Sequence, residues 1–169
     1  MTYKYHTFLD YPGQLLGGFI VPQRRHIASQ QYPPHQTIRF THNGRPGVNL
    51  HDTLRLGAGG MPDADVRPIT TTSSTNIGLR INWQGYADFS SDIRAHDSSQ
   101  RMELIQKREL AFRVAQVVRK FYQAVLSFGD RDGHYTKWEL TETPFECLRL
   151  LELQHVSPDT WQPVLLVQV

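Results

Sequence analysis

Between residues 76 and 126 the spacing of apolar and polar positions changes period. Ile77, Leu79, Ile81 and Trp83 alternate with Gly78, Arg80, Asn82 and Gln84, the period of two that turns one face of a strand inward and the other to water. From Leu110 the spacing lengthens, and Leu110, Val114, Val117, Val118, Phe121 and Val125 fall on one stripe of a helix. The strict stripe begins near Lys107. Met102, Leu104 and Ile105 lie off it and are expected to pack against the first helical turn as a hydrophobic staple. Between strand and helix, Gly85 permits a bend, and Phe89 and Ile93 suggest a short second strand. Gly129 suits the C-terminal cap of the helix, and Trp138–Thr141 reads as a further short strand.

The C-terminus carries the other strong pattern. Leu148–Val156 and Trp161–Val169 flank Ser157-Pro158-Asp159-Thr160, which reads as a hairpin. Its second arm has the uninterrupted run Val164–Val167, as expected for a strand covered on both faces. The first 75 residues are different in kind, with turn signals such as Tyr11-Pro12-Gly13, Tyr32-Pro33-Pro34, Asn43-Gly44 and Arg45-Pro46-Gly47 every few positions. Leu15–Val21 and Thr37–Thr41 are short apolar pieces within it, the latter with Ile38 and Phe40 set to point inward. Val48–Leu56 suits one or two helical turns capped by Asn49 or Asp52, and Ile69–Asn76 a loop or an edge strand. These patterns divide the chain into a turn-rich N-terminal arm, residues 1–46, and a single domain, residues 47–169. The expected fold is α+β: an antiparallel sheet with one long amphipathic helix packed on one face.

Composition narrows the setting. Eighteen basic and sixteen acidic residues leave a formal charge of +2, too small to draw nucleic acid or an anionic membrane over distance. Cys147 is the lone cysteine, so no intrachain disulfide can form. The Leu15–Val21 stretch is too short and glycine-rich to span a bilayer. The expectation is a soluble intracellular protein, cytoplasmic or nuclear.

Candidate chemistry is sparse. His26, His35, His42 and His51 are scattered, with no close pair to fix two metal ligands on one element, so no metal or cofactor is expected. Asp130, Asp132, Gly133 and Glu139 suggest a calcium loop, but Phe128 would occupy its first position, where an oxygen ligand is required. Cys147 reads as a strand residue, and although His155 lies on the same segment, nothing in the sequence brings base to thiol. There is no nucleophile elbow and no phosphate-binding glycine loop. On the helix, Phe112 falls away from the apolar stripe beside Arg113, Arg119 and Lys120. Cover by another segment explains such a phenylalanine, and so does contact with a partner, since aromatics and arginines anchor interfaces.

One resemblance emerges from the order of short motifs. Gly47-Val48-Asn49-Leu50, Leu79-Arg80-Ile81-Asn82-Trp83-Gln84-Gly85-Tyr86, Ile93, Leu110-Ala111, Val118–Phe121 and Ser157-Pro158-Asp159-Thr160-Trp161-Gln162-Pro163 resemble an uncharacterised domain family of mushroom-forming (basidiomycete) fungi. The resemblance spans roughly residues 47–163 and departs at Gln84, where that family has proline. It implies a fungal origin and a shared fold, and brings no activity.

Three functional readings follow, with the balance leaning away from an enzyme. The first is a non-enzymatic module that binds a protein partner or a second copy of itself through Phe112, Arg113, Arg119 and Lys120 or through exposed strand edges. The alternative is an enzyme or small-ligand-binding protein with a pocket under the N-terminal arm, near Trp83 and Tyr86. Nucleic-acid binding through Arg24, Arg25, Arg113, Arg119 and Lys120 is a weaker third, set against Glu109 and the near-neutral charge.

Overall fold

The computed structural model describes residues 17–24, 36–70, 72–128 and 138–169. In chain order the strands are β1 (Gly18–Ile20), β2 (Thr37–Arg39), β3 (Thr41–His42), β4 (Arg45–Pro46), β5 (Val48–Asn49), β6 (Asn76–Ile81), β7 (Phe89–Arg94), β8 (Leu148–Ser157) and β9 (Thr160–Gln168). The helices are α1 (Leu50–Leu56) and α2 (Lys107–Phe128). The fold is α+β, as the two periods require. A seven-stranded sheet runs β2-β8-β9-β6-β7, with β5 also paired to β8 and β1 to β9, and α2 packs against it. The arm thus supplies β1 and β2 to the same sheet, and β3 and β4 form a separate small hairpin closed by Asn43-Gly44. Both turn residues have positive φ, 51° and 73°, the conformation an Asn-Gly hairpin turn demands.

The stripe of α2 meets the inward faces of the strands. Leu110, Val114, Val117, Val118, Phe121 and Val125 join Ile38, Phe40, Ile77, Leu79, Ile81, Ile93, Leu150 and Leu165 in one core. The first-turn N–H groups of Lys107 and Arg108 donate to the carbonyls of Val66 (2.8 Å) and Ala64 (3.0 Å), so the preceding loop satisfies donors that a helix start leaves open. Ile105 is fully buried and Leu104 packs on the core, but Met102 is 47% exposed, so it takes no part in the expected staple. In α1, the Asn49 side chain accepts from the Asp52 N–H at 2.9 Å, which selects Asn49 as the cap. Residues 70 and 72–75 form a loop, not a strand. Trp138–Thr141 is not a strand either; a 3-10 turn, Leu140–Glu142, occupies that stretch. Gly129 and the Asp130–Gly133 segment lie outside the described residues.

Strand β9 is covered on both sides, as its continuous apolar run requires. Trp161 and Leu165 face the helix, whereas Val164 and Leu166 alternate to the opposite face and cluster there with Leu151 and Ile20. Leu151 points there by ordinary alternation after Leu150, and the bulge between Leu150 and Glu152 returns Leu153 to the helix side.

One pairing departs from an all-antiparallel sheet. β6 runs parallel to β9, with Gly78 opposite Thr160 and Leu79 opposite Trp161. No tight turn links them, so nothing local imposes opposite directions. Asp159 anchors this junction. It follows Pro158 with φ 51°, its carbonyl accepts the Gly78 N–H at 2.7 Å, and its carboxylate accepts from the hydroxyls of Thr72 and Ser73. Burial raises the Asp159 pKa, but the Ser73 and Thr72 hydrogen bonds prevail and hold it below the usual carboxylate range. A lowered folded-state value gives stability that is complete above the ordinary aspartate pKa of ~3.9 and is lost as pH falls through the lowered value. Asp159→Asn is therefore expected to cost about 1 kcal/mol or less at neutral pH, given the partial exposure, with the difference closing in acid. Urea unfolding at both pH values measures this, and a gap independent of pH would contradict it.

Candidate functional site

Trp83 and Tyr86 come from the bend after β6, which carries them inward. Trp83 is fully buried and Tyr86 is 2% exposed. The Trp83 ring lies 6.0 Å from Phe121 and 5.9 Å, edge-on, from Tyr122, while Tyr86 meets Phe121 edge-on at 6.3 Å. Their polar tips are taken up by one backbone segment. The Trp83 indole N–H donates to the Trp138 carbonyl at 2.8 Å, the Tyr86 hydroxyl accepts from the Leu140 N–H at 3.0 Å, and the Tyr122 hydroxyl donates to the Thr143 carbonyl at 2.9 Å. Burial pushes the Tyr122 phenol far above its ordinary pKa, so it stays a neutral donor. These aromatics latch residues 138–143 onto the core. The two pocket residues expected from sequence present almost no surface to a ligand.

A second polar grouping lies where residues 21–24 enter between β9 and the end of β6. The Val21 N–H donates to the Leu165 carbonyl, and the Arg24 N–H to the Asn82 carbonyl. Buried Gln23 bridges the two strands, donating to the Pro163 carbonyl at 2.7 Å and accepting from the Asn82 N–H at 3.1 Å. Asn82 and Gln162 both donate to the Arg24 carbonyl, at 3.0 and 2.8 Å. A side-chain amide can donate and accept as a peptide group does, so Gln23 replaces ladder bonds where the strands diverge. The seam is structural, and none of its side-chain amides ionises.

Several ionisable groups that approach the interior are paired. Lys107, buried, meets Asp63 and stands 5.4 Å over the Phe40 ring. Arg67 joins Glu103 and lies 3.7 Å from Asp97, and Glu152, buried, faces Arg39 at 3.2 Å. Among the described residues no group of three or more His, Cys, Asp or Glu is placed to hold a metal ion. Cys147 ends a 3-10 turn, Phe145–Cys147, instead of lying within a strand. His155 stacks on Trp161 near the other end of β8, roughly 25 Å along an extended strand from the thiol. The two cannot act as nucleophile and base.

Comparison with protein-family models, curated proteins and solved structures finds no match to this chain.

One region combines exposure with unused bonding capacity. β7 ends the sheet, and no strand pairs with its far side among the described residues. The Ala95 N–H donates to the Thr75 carbonyl, which fixes the phase of the ladder: Phe89, Ser91 and Ile93 bond to β6, while Ser90, Asp92 and Arg94 turn their backbone groups outward. All three outward residues are exposed. The helix residues singled out from sequence converge here in part. Arg113, held by Glu109 at 2.7 Å, donates from one guanidinium nitrogen to the carbonyls of Arg94 and His96. It closes the C-terminal end of the edge, and among the described residues no strand pairs with Ser90 or Asp92 on that side. Phe112 is half-buried, and Arg119 and Lys120 are exposed on the same helix. Phe89 and Ile93 make the β7 strand legible in the sequence, but its position at the sheet margin is not, because strand order depends on contacts remote in the chain.

Among the described residues no helix is long and apolar enough to cross a membrane.

Proposed function

We propose that this protein is a non-enzymatic interaction module whose docking element is the free edge of β7. The observation that supports the reading is the pair Ser90 and Asp92, whose backbone donors and acceptors point away from β6 on an ordered six-residue strand, with no strand paired to them among the described residues. Unpaired strand edges are templates for another strand, and folds that do not use them cover or blunt them. Among the described residues Arg113 covers one end of this edge and no strand covers the rest. Serine and aspartate side chains keep the edge polar, which suits reversible docking and disfavours indiscriminate aggregation.

Ser90→Pro tests this reading. Proline removes the outward N–H and sets a ring in the path of an incoming strand, and an edge position tolerates it because that N–H takes no part in the β6–β7 ladder. Extended peptides selected on the wild-type surface from a display library should bind the variant about tenfold or more weakly, the equivalent of one or two backbone bonds. Thermal unfolding should change little. Peptides that bind the variant undiminished would overturn the proposal.

A further inference from the structure

We infer that the strand received by β7 is the β7 of a second copy, antiparallel, with Ser90 of each chain opposite Asp92 of the other. The inference rests on the β7 edge being a docking element, and it names the occupant. Three features select this register. Backbone phase comes first: only even-numbered residues here face outward, so an incoming β7 must align even positions with even positions. Ser90 opposite Asp92 joins the two residues whose outward groups no strand meets among the described residues, and completes two reciprocal pairs of ladder bonds.

Charge comes second. In this alignment Arg94 stands opposite Asp88, the residue preceding the strand, and two-fold symmetry repeats the contact. Asp92 meets a serine hydroxyl. Sliding the partner so that Asp92 faces Asp92 opposes like charges, and sliding the other way sets Asp88 against Asp92 twice. Directly opposed like charges destabilise a strand pair. Asp88 is half-exposed beside Arg24 at 2.7 Å and retains surface for a second cation. Arg113 comes third. A further slip that sets Asp92 against Arg94 would also match charge, but it centres the ladder on Ile93 and puts Arg94, whose carbonyl Arg113 already occupies, in both central bonded pairs. At the symmetry axis Ser91 meets Ser91, a pair small enough for the close approach of a non-hydrogen-bonded site.

The resulting assembly is isologous, closes at two copies through this edge and makes one continuous sheet. Complementary charge reversal tests it by sedimentation velocity from low to high micromolar protein. Wild type should pass from monomer to dimer with rising concentration. Arg94→Asp alone and Asp88→Arg alone should each weaken dimerisation on the order of tenfold, because each creates two like-charge contacts. An equimolar mixture of the two variants should restore it. In that heterodimer the two substituted side chains face each other with opposite charge, and the unsubstituted Asp88 of one chain faces the unsubstituted Arg94 of the other. Circular dichroism of each variant verifies that the monomer is folded. A wild-type protein monomeric throughout, or a dimer indifferent to both reversals, would overturn the inference. If such a monomer still binds the selected peptides and loses them on Ser90→Pro, the docking edge stands without the homodimer. If it binds none, both readings fall together.

Discussion

Val118→Asp is expected to leave no cooperatively folded protein. Val118 has no exposed surface and sits in the middle of the α2 stripe. Its burial contributes roughly 1.5–3 kcal/mol, and an unpaired carboxylate in the same place costs several more. The sum approaches the whole ~5–15 kcal/mol stability of a typical domain. Arg119→Asp supplies the control, placing the same side chain one position along on the exposed face, where about 0.5 kcal/mol is the usual effect. Circular dichroism and urea titration of both variants decide the matter. A sharp unfolding transition for Val118→Asp would mean that the helix does not bury this side.

Trp83→Ala is expected to have the next largest effect, about 3–5 kcal/mol, as for other large aromatic truncations in cores. The residue fills the space between Phe121 and Tyr122 and holds the 138–143 segment through its indole N–H. Trp83→Phe separates these contributions. It keeps most of the packing but removes the bond to the Trp138 carbonyl, and should cost roughly 1–3 kcal/mol. A tryptophan lining an open ligand pocket behaves otherwise, because its truncation leaves stability nearly unchanged. Urea midpoints for the two variants therefore also separate a latch from a pocket wall.

Much of the fold was legible because it is written in local period. Lys107 begins α2 where the stripe begins, Asn49 caps α1, and the Pro158-Asp159 turn closes the C-terminal hairpin. Inward-facing Ile38 and Phe40 were visible even within the turn-rich arm. The misses share a cause. Met102 is apolar yet exposed, and Trp138–Thr141 has strand-forming residues but no strand. Composition proposed elements at both places, and contacts with distant parts of the chain decided otherwise. Trp83 and Tyr86 are the clearest case. Aromatic rings with polar tips suit a binding site as well as a core, and which role they play depended on where the backbone of residues 138–143 came to lie.

The sequence by itself determined the long helix, the strands β6 and β7, the C-terminal hairpin and which of their faces are apolar, because each is set by side-chain periodicity and backbone preference within a few residues. Tertiary structure alone decided that β6 runs parallel to β9, that Gln23 completes the ladder between them, and that β7 is left at the margin beside Arg113. Strand order is a contest among all possible pairings of the chain, won through summed burial and hydrogen bonding. The open edge on which the functional reading depends is a result of that contest.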